Sequence, residues 1–297
     1  MPGLQRGMAM LVVLLMIAIM ALLATTANQY GMQAFARAES SQAFQQSKWN
    51  LLSAERWFTS SQKLDKPYTL ARQRQFGEQL IHFELLDRQA CFNLNTLLPQ
   101  RIAEKEITVP PPVAHQVFLH MLGNLDIAKP QAEALMQQII ALVKPDPLVN
   151  KWRLFDEISQ IKQLPAVTPE LWRQMQPLLC VTPETRLAVN INGLTPRQLP
   201  LMRALFANTL SMSQLGSLLD SRPPHGWADL SALTKSLSMT TIAPAIATLQ
   251  SVLATRSDYY ELLMWSDHPT IFAALRSRIQ KQDEQYHVTA RLYGLSE

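Results

Sequence analysis

The sequence predicts an α+β fold in which a long N-terminal helix is followed by strands that a large helical block interrupts. Three observations support this prediction. Apolar residues recur at helical intervals over residues 8–60, without a proline. Apolar and polar residues alternate over residues 81–85, and again after residue 258. Between these stretches, prolines divide residues 97–256 into short segments with helical spacing of apolar side chains.

The first element is apolar enough to cross a membrane. Residues 8–24 read MAMLVVLLMIAIMALLA, with no charged or polar side chain, no glycine and no proline. Residues 25–27 lengthen the run to about 20 residues, which is roughly what a bilayer core of about 30 Å requires. We therefore predict a transmembrane helix over residues 8–27. A signal peptide cleaved after Ala21 or Ala24 is less favoured, since the helical pattern continues beyond both sites.

The membrane segment is expected to continue as an amphipathic helix. Phe35, Trp49 and Phe58 belong to a series of apolar residues that recur at helical intervals among Gln, Ser, Arg and Glu. One continuous helix over residues 8–60 would be roughly 80 Å long. A break at Gly31, giving a separate soluble helix, is the alternative. Either arrangement places the second half of the helix against a globular head.

The first strand pattern follows this helix. Ile81, Phe83 and Leu85 alternate with His82 and Glu84, as in a strand with one face on the helix. His82 has no metal-ligand or nucleophile partner nearby in the sequence. We therefore interpret it as a solvent-facing strand residue.

The segment DRQACFNLN comes directly after this strand. It runs from Asp87 through Phe92 and Asn93 to Asn95. Asparagine side chains can hydrogen-bond backbone groups where a sheet gives way to helices. We therefore predict a turn at these residues.

The central block reads as short helices. Residues 131–143 are amphipathic, and two helix starts carry a threonine N-cap followed by proline, at Thr168 and Thr195. The segment FDEI at residues 155–158 also opens a candidate helix. It is echoed by WADL at residues 227–230, an aromatic and an acidic residue before an aliphatic one. We interpret the block as a small helical domain with an internal duplication.

The alternation of apolar and polar residues, which is typical of a strand, returns near the C-terminus. Tyr260, Leu262 and Met264 form one face of a predicted strand. Residues 271–279 fit either a second strand or a helix. Residues 286–292 alternate apolar and polar side chains as a final strand.

Composition argues against several classes of protein. The 27 Lys and Arg against 23 Asp and Glu give a formal net charge of +4, and no block of five like charges occurs. An electrostatic footprint for nucleic acid is therefore missing, and the Gly-x-Gly hairpin of a helix-hairpin-helix motif is absent too. The sequence contains no G-x-S-x-G, no H-E-x-x-H, no P-loop and no dinucleotide-binding turn. We predict that the protein is not an enzyme.

The two cysteines, Cys91 and Cys180, are 89 positions apart. Neither belongs to a C-x-x-C pair, and no histidines stand at metal-ligand spacing beside them. In an oxidising compartment such as the periplasm they could form a disulfide. Two buried free thiols are the alternative.

Several motifs occur in an order that resembles a known family. Arg6 and Gly7 stand directly before the apolar run that begins at Met8, and this N-terminus resembles the class III leader of type IV pilins and pseudopilins. The segment DRQACFNLN resembles a D-x-x-A-x-F-N-L-N signature, and VNIN, with Asn190 and Asn192, resembles an L-N-V-N turn. VTPELWRQM and SRPPHGW resemble segments of an all-helical insert. Together these features resemble the minor pseudopilin K family of type II secretion systems.

The resemblance implies a pilin-like antiparallel sheet on the long helix, interrupted by the helical insert. It implies that a prepilin peptidase cuts after Gly7 and that Met8 becomes an N-methylated first residue. The fifth residue of the mature chain would be Val12, where most pilin-like proteins carry a glutamate. In this family the glutamate is absent, and the subunit is thought to occupy the filament tip, with no subunit above it.

The resemblance also implies a location and partners. The protein would be a single-pass inner-membrane protein with its globular part in the periplasm. Its N-terminal helix would bind other minor pseudopilins, and its insert would contact the secreted substrate or the outer-membrane secretin. No nucleic-acid partner is expected.

One segment departs from the family pattern. Family members commonly carry an acidic D-W-I-D-x-D loop that supplies calcium ligands, whereas residues 140–150 read IALVKPDPLVN here. Calcium takes about six to eight oxygen ligands, several of them carboxylates. Asp146, two residues from Lys144, is the one carboxylate of this segment. We therefore predict that the metal site is lost and that the protein has no cofactor.

These expectations divide the chain into a leader over residues 1–7, a transmembrane helix over 8–27, an amphipathic helix and first part of the head over 28–95, an inserted helical domain over 96–256 and the last strands over 257–297. The expected function is that of a minor pseudopilin at the tip of the periplasmic pseudopilus, which initiates or caps assembly. A membrane-anchored periplasmic binding module or adhesin is the alternative.

Overall fold

The fold combines one long helix, a five-stranded antiparallel sheet and a block of short helices. The α+β prediction is thereby confirmed. The structure is a computed structural model that describes residues 4–61, 71–101, 108–109, 112–143, 145–146, 151–235, 237, 246–267 and 272–294.

The described α-helices are named in chain order. They are α1 (Leu4–Ser61), α2 (Pro112–Gly123), α3 (Lys129–Leu142), α4 (Pro169–Met175), α5 (Leu199–Leu205), α6 (Met212–Asp220), α7 (Leu230–Lys235) and α8 (Ile246–Val252). Short 3₁₀ helices lie at Leu94–Leu97, Ile158–Gln163, Gln176–Leu178, Ile191–Gly193 and Pro196–Gln198.

The described strands fall into a longer and a shorter group. The longer strands are β1 (Gln73–Phe76), β2 (Gln79–Asp87), β11 (Tyr259–Asp267), β12 (Ala274–Gln282) and β13 (Gln285–Tyr293). Strands of two residues are β3 (Phe92–Asn93), β4 (Gln100–Arg101), β5 (Thr108–Val109), β6 (Pro145–Asp146), β7 (Lys151–Trp152), β8 (Leu179–Cys180), β9 (Val189–Asn190) and β10 (Leu253–Ala254).

Helix α1 is continuous over 58 residues and is therefore about 87 Å long at about 1.5 Å per residue. The break considered at Gly31 is not observed. The described side chains before residue 43, which begin at Met8 and omit residue 9, are exposed almost throughout. In the last turns, buried residues recur three or four positions apart and form one stripe that faces the sheet. These residues are Ser47, Asn50, Leu51, Ala54, Glu55 and Phe58.

The longer strands form one sheet in the order β1-β2-β11-β12-β13, with every neighbouring pair antiparallel. The stretch over residues 271–279, left open between strand and helix, contains the start of β12, while Ile271 lies outside the described residues. A two-residue turn joins β12 to β13, and its Asp283 and Glu284 have φ values of 49° and 61°. Positive φ at both positions suits the right-handed twist of a hairpin.

The head core lies between α1 and this sheet. Alternation along the strands directs Ile81, Phe83, Leu262 and Met264 toward α1, as the period of two predicts. The rings of Phe58 and Phe83 stack with their centroids 5.0 Å apart. On the opposite face of the sheet, His82 stacks on Trp265 at 5.4 Å, so this half-buried histidine packs against an aromatic ring as well as facing solvent.

The chain leaves the sheet after Asp87 and returns at Tyr259. These ends of β2 and β11 lie side by side, and the amide of Arg88 donates to the Tyr259 carbonyl oxygen at 2.9 Å. We call residues 88–258 the insert, and the sheet with the second half of α1 the head. The domain boundaries predicted after residues 95 and 256 stay predictions.

The insert has its own apolar core, in which Phe92, Phe118 and Phe206 are fully buried. Helix α4 begins as the Thr-Pro pattern predicts, because Thr168 Oγ1 accepts the Leu171 amide at 3.2 Å. Thr195 opens the other predicted helix start through a capping box with Gln198. Besides helices, the described part of the insert contains two-residue ladders, which are too short for a periodic signal.

Candidate functional site

Helix α1 presents a long apolar surface that the described part of the chain leaves uncovered. The large apolar side chains from Met8 to Leu23 are between 48% and 72% exposed. By length and composition, α1 is the one described helix able to cross a membrane. The hydroxyls of Thr25 and Thr26 donate to carbonyl oxygens one turn earlier at 2.9 Å. Every polar group in this segment can therefore be satisfied within the helix, as a hydrocarbon environment requires.

The predicted processing residues lie at the start of this surface. Gly7 lies in the first turns of α1, and the Met8 side chain is exposed. Val12 is exposed as well. The first charged residue after Met8 in the sequence is Arg37, so the apolar surface from Met8 to Leu23 carries no charge.

The exposed apolar surface extends beyond the membrane segment. Phe35 and Trp49 are 70% and 65% exposed, and Tyr30, Met32 and Phe44 are exposed as well. Several large apolar side chains exposed on one helix are typical of a protein–protein or membrane interaction site.

An ion pair between a buried glutamate and an exposed arginine fixes α1 on the sheet. Glu55 is 2% exposed, and its carboxylate accepts the Ser277 hydroxyl of β12 at 2.7 Å. Arg291 of β13 donates to the same carboxylate from Nε at 2.8 Å and from Nη2 at 2.7 Å. These hydrogen bonds raise the pKa of Arg291 above its ordinary value. The pair orients the exposed half of α1 relative to the head.

The first predicted turn is held by two asparagines. Asn93 Oδ1 accepts the amides of Asn95 at 3.2 Å and Thr182 at 3.1 Å. Asn95 is completely buried, and its Oδ1 accepts the Phe155 amide at 2.7 Å. Its Nδ2 donates to the carbonyl oxygens of Phe155 at 3.1 Å and Thr182 at 2.8 Å. One side chain therefore satisfies backbone groups of two loops distant in sequence.

The second predicted turn repeats this arrangement. Asn190 Oδ1 accepts the amide of Asn192 at 3.1 Å. Asn192 Oδ1 accepts the Trp227 amide at 2.8 Å, and its Nδ2 donates to the carbonyl oxygens of Trp227 and Thr255 at 2.9 Å each. The aromatic residues that echo each other in the sequence are thus the residues that the two asparagines hold.

Each turn also pairs with a later strand in a parallel ladder. Strand β3 pairs with β8, and β9 pairs with β10. Cys91 lies just before β3 and forms a disulfide with Cys180 of β8, with their Cα atoms 5.7 Å apart. The disulfide therefore ties the first turn to the strand beside it. Phe92, which follows Cys91, is buried in the insert core.

Asp87 joins the head to the second turn. Its Oδ2 accepts Asn190 Nδ2 at 2.6 Å, while its Oδ1 accepts the Gln89 amide at 2.8 Å and the Ser257 hydroxyl. Burial raises the pKa of this carboxyl, and the hydrogen bonds offset part of the rise. The contribution of Asp87 to stability is therefore full below its ordinary pKa and falls as pH rises through the folded-state pKa.

Two glycines allow the close packing around the second turn. Gly226 has a φ of 73°, and a Cβ there would lie 2.7 Å from the Asn192 side chain. A Cβ at Gly193 would lie 2.6 Å from both Ala90 Cβ and Asp87 Oδ2. A larger residue at either position would displace the hydrogen-bonding groups of the turn.

We expect Asn95→Ala to lower the free energy of unfolding by about 3 kcal/mol, because it leaves the buried amide and carbonyl of Phe155 without their Asn95 partners and removes one of two donors to the Thr182 carbonyl oxygen. Asn192→Ala should cost only about 1–2 kcal/mol, since this residue is partly exposed and water can replace the lost partners. Urea unfolding of the full chain in mild detergent, followed by near-ultraviolet circular dichroism, measures both.

Gln137→Ala, at an exposed position of α3, is the control for these variants and should change little. Equal losses for Asn95→Ala and Asn192→Ala would contradict the assignment of their difference to burial.

The segment predicted to have lost a calcium site lies partly outside the described residues. Residues 144 and 147–150 are among those not described, and the side chain of Asp146 is not described either. Among the described residues, no group of three His, Cys, Asp or Glu side chains is placed to hold a metal ion. Loss of the calcium site stays a prediction.

The sequence does not predict several of the residues that hold the two turns and α1 in place. The partners Thr182, Thr255 and Ser257 carry no local signal, and the pairing of Glu55 with Arg291 spans 236 positions. The echo of FDEI and WADL was a usable signal, because it marks the two loops that the asparagines hold.

Comparison with known proteins identifies relatives of both halves of the insert. Two family models, both described as type II secretion system (T2SS), protein K, match residues 90–184 and residues 189–256. Each matched range contains one of the two asparagine turns.

Full-length relatives carry the same description. The chain is 28% identical to the type II secretion system protein K of Pectobacterium carotovorum subsp. carotovorum, over 98% of this chain and 97% of that protein. It is 26% identical to that of Klebsiella pneumoniae, with the same coverage.

A solved structure has the same fold. It is a chain of the GspK-GspI-GspJ complex from the type 2 secretion system of enterotoxigenic Escherichia coli, with a TM-score of 0.68 and 23% identity. The match covers 88% of this chain and 100% of that chain.

Proposed function

Because this chain belongs to the type II secretion system protein K family of minor pseudopilins, we propose that it forms the tip of the periplasmic pseudopilus. It initiates or caps assembly with other minor pseudopilins. The observation that carries this proposal is the exposed apolar half of α1, which continues without a break into the helix packed on the head.

The mechanism is physical rather than chemical. The apolar half of α1 partitions into the inner membrane as a single span, with head and insert in the periplasm. After cleavage by the prepilin peptidase, the same surface leaves lipid and packs against the helices of companion subunits. Both environments cover apolar side chains that water would leave exposed. The related GspK is found in a complex with GspI and GspJ, which supports minor pseudopilins as partners.

Two features support a place at the tip. Val12 replaces the carboxylate that would pair with the amine of a neighbouring subunit, so the chain lacks one contact that links successive subunits. The insert adds residues 88–258 to a small head, and this bulk caps the end of the filament. From there it reaches the secreted substrate or the outer-membrane secretin.

Processing is tested by the intact mass of the membrane-extracted protein from cells with and without prepilin peptidase. We expect a chain that begins at Met8 and is N-methylated in the first case, and an uncut chain in the second. Gly7→Val should leave the chain uncut, while the control Gly31→Val, at an exposed position of the same helix, should be cut normally. A mature chain that starts after Ala24 would contradict pilin-type processing.

Partner binding separates the proposal from the alternative of an anchored binding module. We expect companion minor pseudopilins to co-purify with the full chain, and Phe35→Asp with Trp49→Asp to abolish this by placing carboxylates on the exposed helix surface. Co-purification unaffected by both substitutions, or a chain that stays monomeric beside its companions, would favour the binding module.

A further inference from the structure

The two halves of the insert each border a cleft, and equivalent loops build the two clefts. The first cleft lies beside residues 154–156 and 181–183 and has a volume of about 270 Å³. The second lies beside residues 226–228 and 255–257 and has a volume of about 940 Å³. In both, one loop carries the aromatic residue held by an asparagine, and the other follows the strand that pairs with the turn.

The head forms the opposite wall of the first cleft. Strands β11, β12 and β13 form its remaining wall. Arg278 of β12 donates to the Asp156 carbonyl oxygen at 3.0 Å and forms an ion pair with the Glu157 carboxylate. The Tyr259 hydroxyl donates to Glu184 at 2.9 Å. This surface of the insert therefore lies opposite extended strands, and an arginine–carboxylate pair joins the two walls.

The second cleft is not filled by any described residue. Arg88 and Tyr260 line both clefts, so the second lies on the other side of the same junction. Its additional wall comes from the insert and is rich in proline and side-chain hydrogen-bonding groups. These residues are Gln176, Pro177, Thr195, Gln198, Pro223 and Pro224.

The charges of the second cleft are mainly positive. Arg88, Arg222 and Arg256 line it, and Asp87 is its one carboxylate. Asp87 is already engaged by three hydrogen-bond donors. Arg88 lies 3.9 Å from Glu261. The cleft therefore favours a negatively charged occupant.

Arg222 is the cation best placed to bind that occupant. It is partly buried, and Nη1 donates to the carbonyl oxygens of Asn192 at 2.7 Å and Leu194 at 2.9 Å. Burial lowers the pKa of its guanidinium. Within the described part of the chain it forms no ion pair. Its carbonyl contacts fix the side chain in position, so a carboxylate can pair with it at little further entropic cost.

We propose that the second cleft binds an extended acidic segment of a partner polypeptide, with a carboxylate of that segment paired to Arg222. The chemistry is that of the first cleft with the roles exchanged. There the head supplies the arginine and the insert supplies the carboxylate, whereas here the insert supplies the arginine. The proposal does not depend on the position of the subunit in the filament.

The test is binding of a fluorescein-labelled peptide of alternating Glu and Pro to the full chain in neutral detergent, measured by fluorescence anisotropy. A peptide of alternating Gln and Pro has the same extended shape without the charge. We expect the Glu peptide to bind at least tenfold more tightly, and added salt to weaken its binding.

Variants locate the binding. Arg222→Gln should raise the Kd by about tenfold or more. Because this variant also loses carbonyl contacts, Arg256→Glu provides a second test at an exposed position of the cleft. Arg186→Gln, an exposed arginine of the insert outside both clefts, is the matched control and should bind normally.

Two results would overturn the proposal. One is equal binding of the Glu and Gln peptides. The other is an unchanged Kd in Arg256→Glu, whatever the Kd of Arg222→Gln. A folded variant with reversed charge at the cleft must weaken the binding of an acidic ligand there. Loss of binding in both cleft variants with a normal Arg186→Gln supports it.

Discussion

Replacing Arg291 with alanine should lower the free energy of unfolding by about 3–5 kcal/mol, because it leaves the Glu55 carboxylate buried between α1 and the sheet without its charge partner. Glu55→Gln should cost less. In Glu55→Gln the charge left without a partner is that of Arg291, whose side chain is 46% exposed and can be solvated by water. In Arg291→Ala it is that of Glu55, whose side chain is 3% exposed. Comparing the losses in unfolding free energy of the two variants therefore tests which member of the pair is desolvated.

The measurement is urea unfolding of the full chain in mild detergent, followed by tryptophan fluorescence. Arg186→Ala removes an arginine at an exposed position and should stay within about 0.5 kcal/mol of the parent protein. A larger loss in Glu55→Gln than in Arg291→Ala would contradict the burial argument.

The second large effect is expected from the disulfide. A double variant, Cys91→Ala with Cys180→Ala, should lose about 4–5 kcal/mol, since in the chain-entropy model a cross-link across 89 positions strongly restricts the unfolded chain. Both sulfur atoms lie beside the ladder of β3 and β8, so the loss should appear as unfolding of the insert.

Reduction of the parent protein provides an independent comparison. Dithiothreitol should lower the stability of the parent protein toward that of the double variant, and it should leave the double variant unchanged. A parent protein whose unfolding is insensitive to reductant would show that the bond contributes little to its stability.

Local sequence patterns predicted most of the fold. The period of the apolar residues predicted α1 and strands β2, β11 and β13, although it left β12 open between strand and helix. A threonine before proline located the starts of two helices. The echo of Phe155 and Trp227 pointed to a duplication. These signals succeed because they depend on neighbouring residues alone.

What the sequence left open depends on residues that meet only after folding. The pairing of Cys91 with Cys180 could not be chosen over free thiols, because spacing does not determine distance. The partners of Asn95 lie 60 and 87 positions away. Two-residue strands such as β3 and β8 are shorter than one period of any pattern, so periodicity cannot reveal them.

The adjacent ends of β2 and β11 make the insert an exchangeable module. Asp87 pairs directly with Tyr260 across the two strands, so a tight turn at this point would close an ordinary hairpin and leave the order of strands unchanged. Residues 88–258 can therefore be lengthened, shortened or grafted without altering the connectivity of the sheet. The insert can thus diverge in length and sequence while α1 and the sheet stay constant.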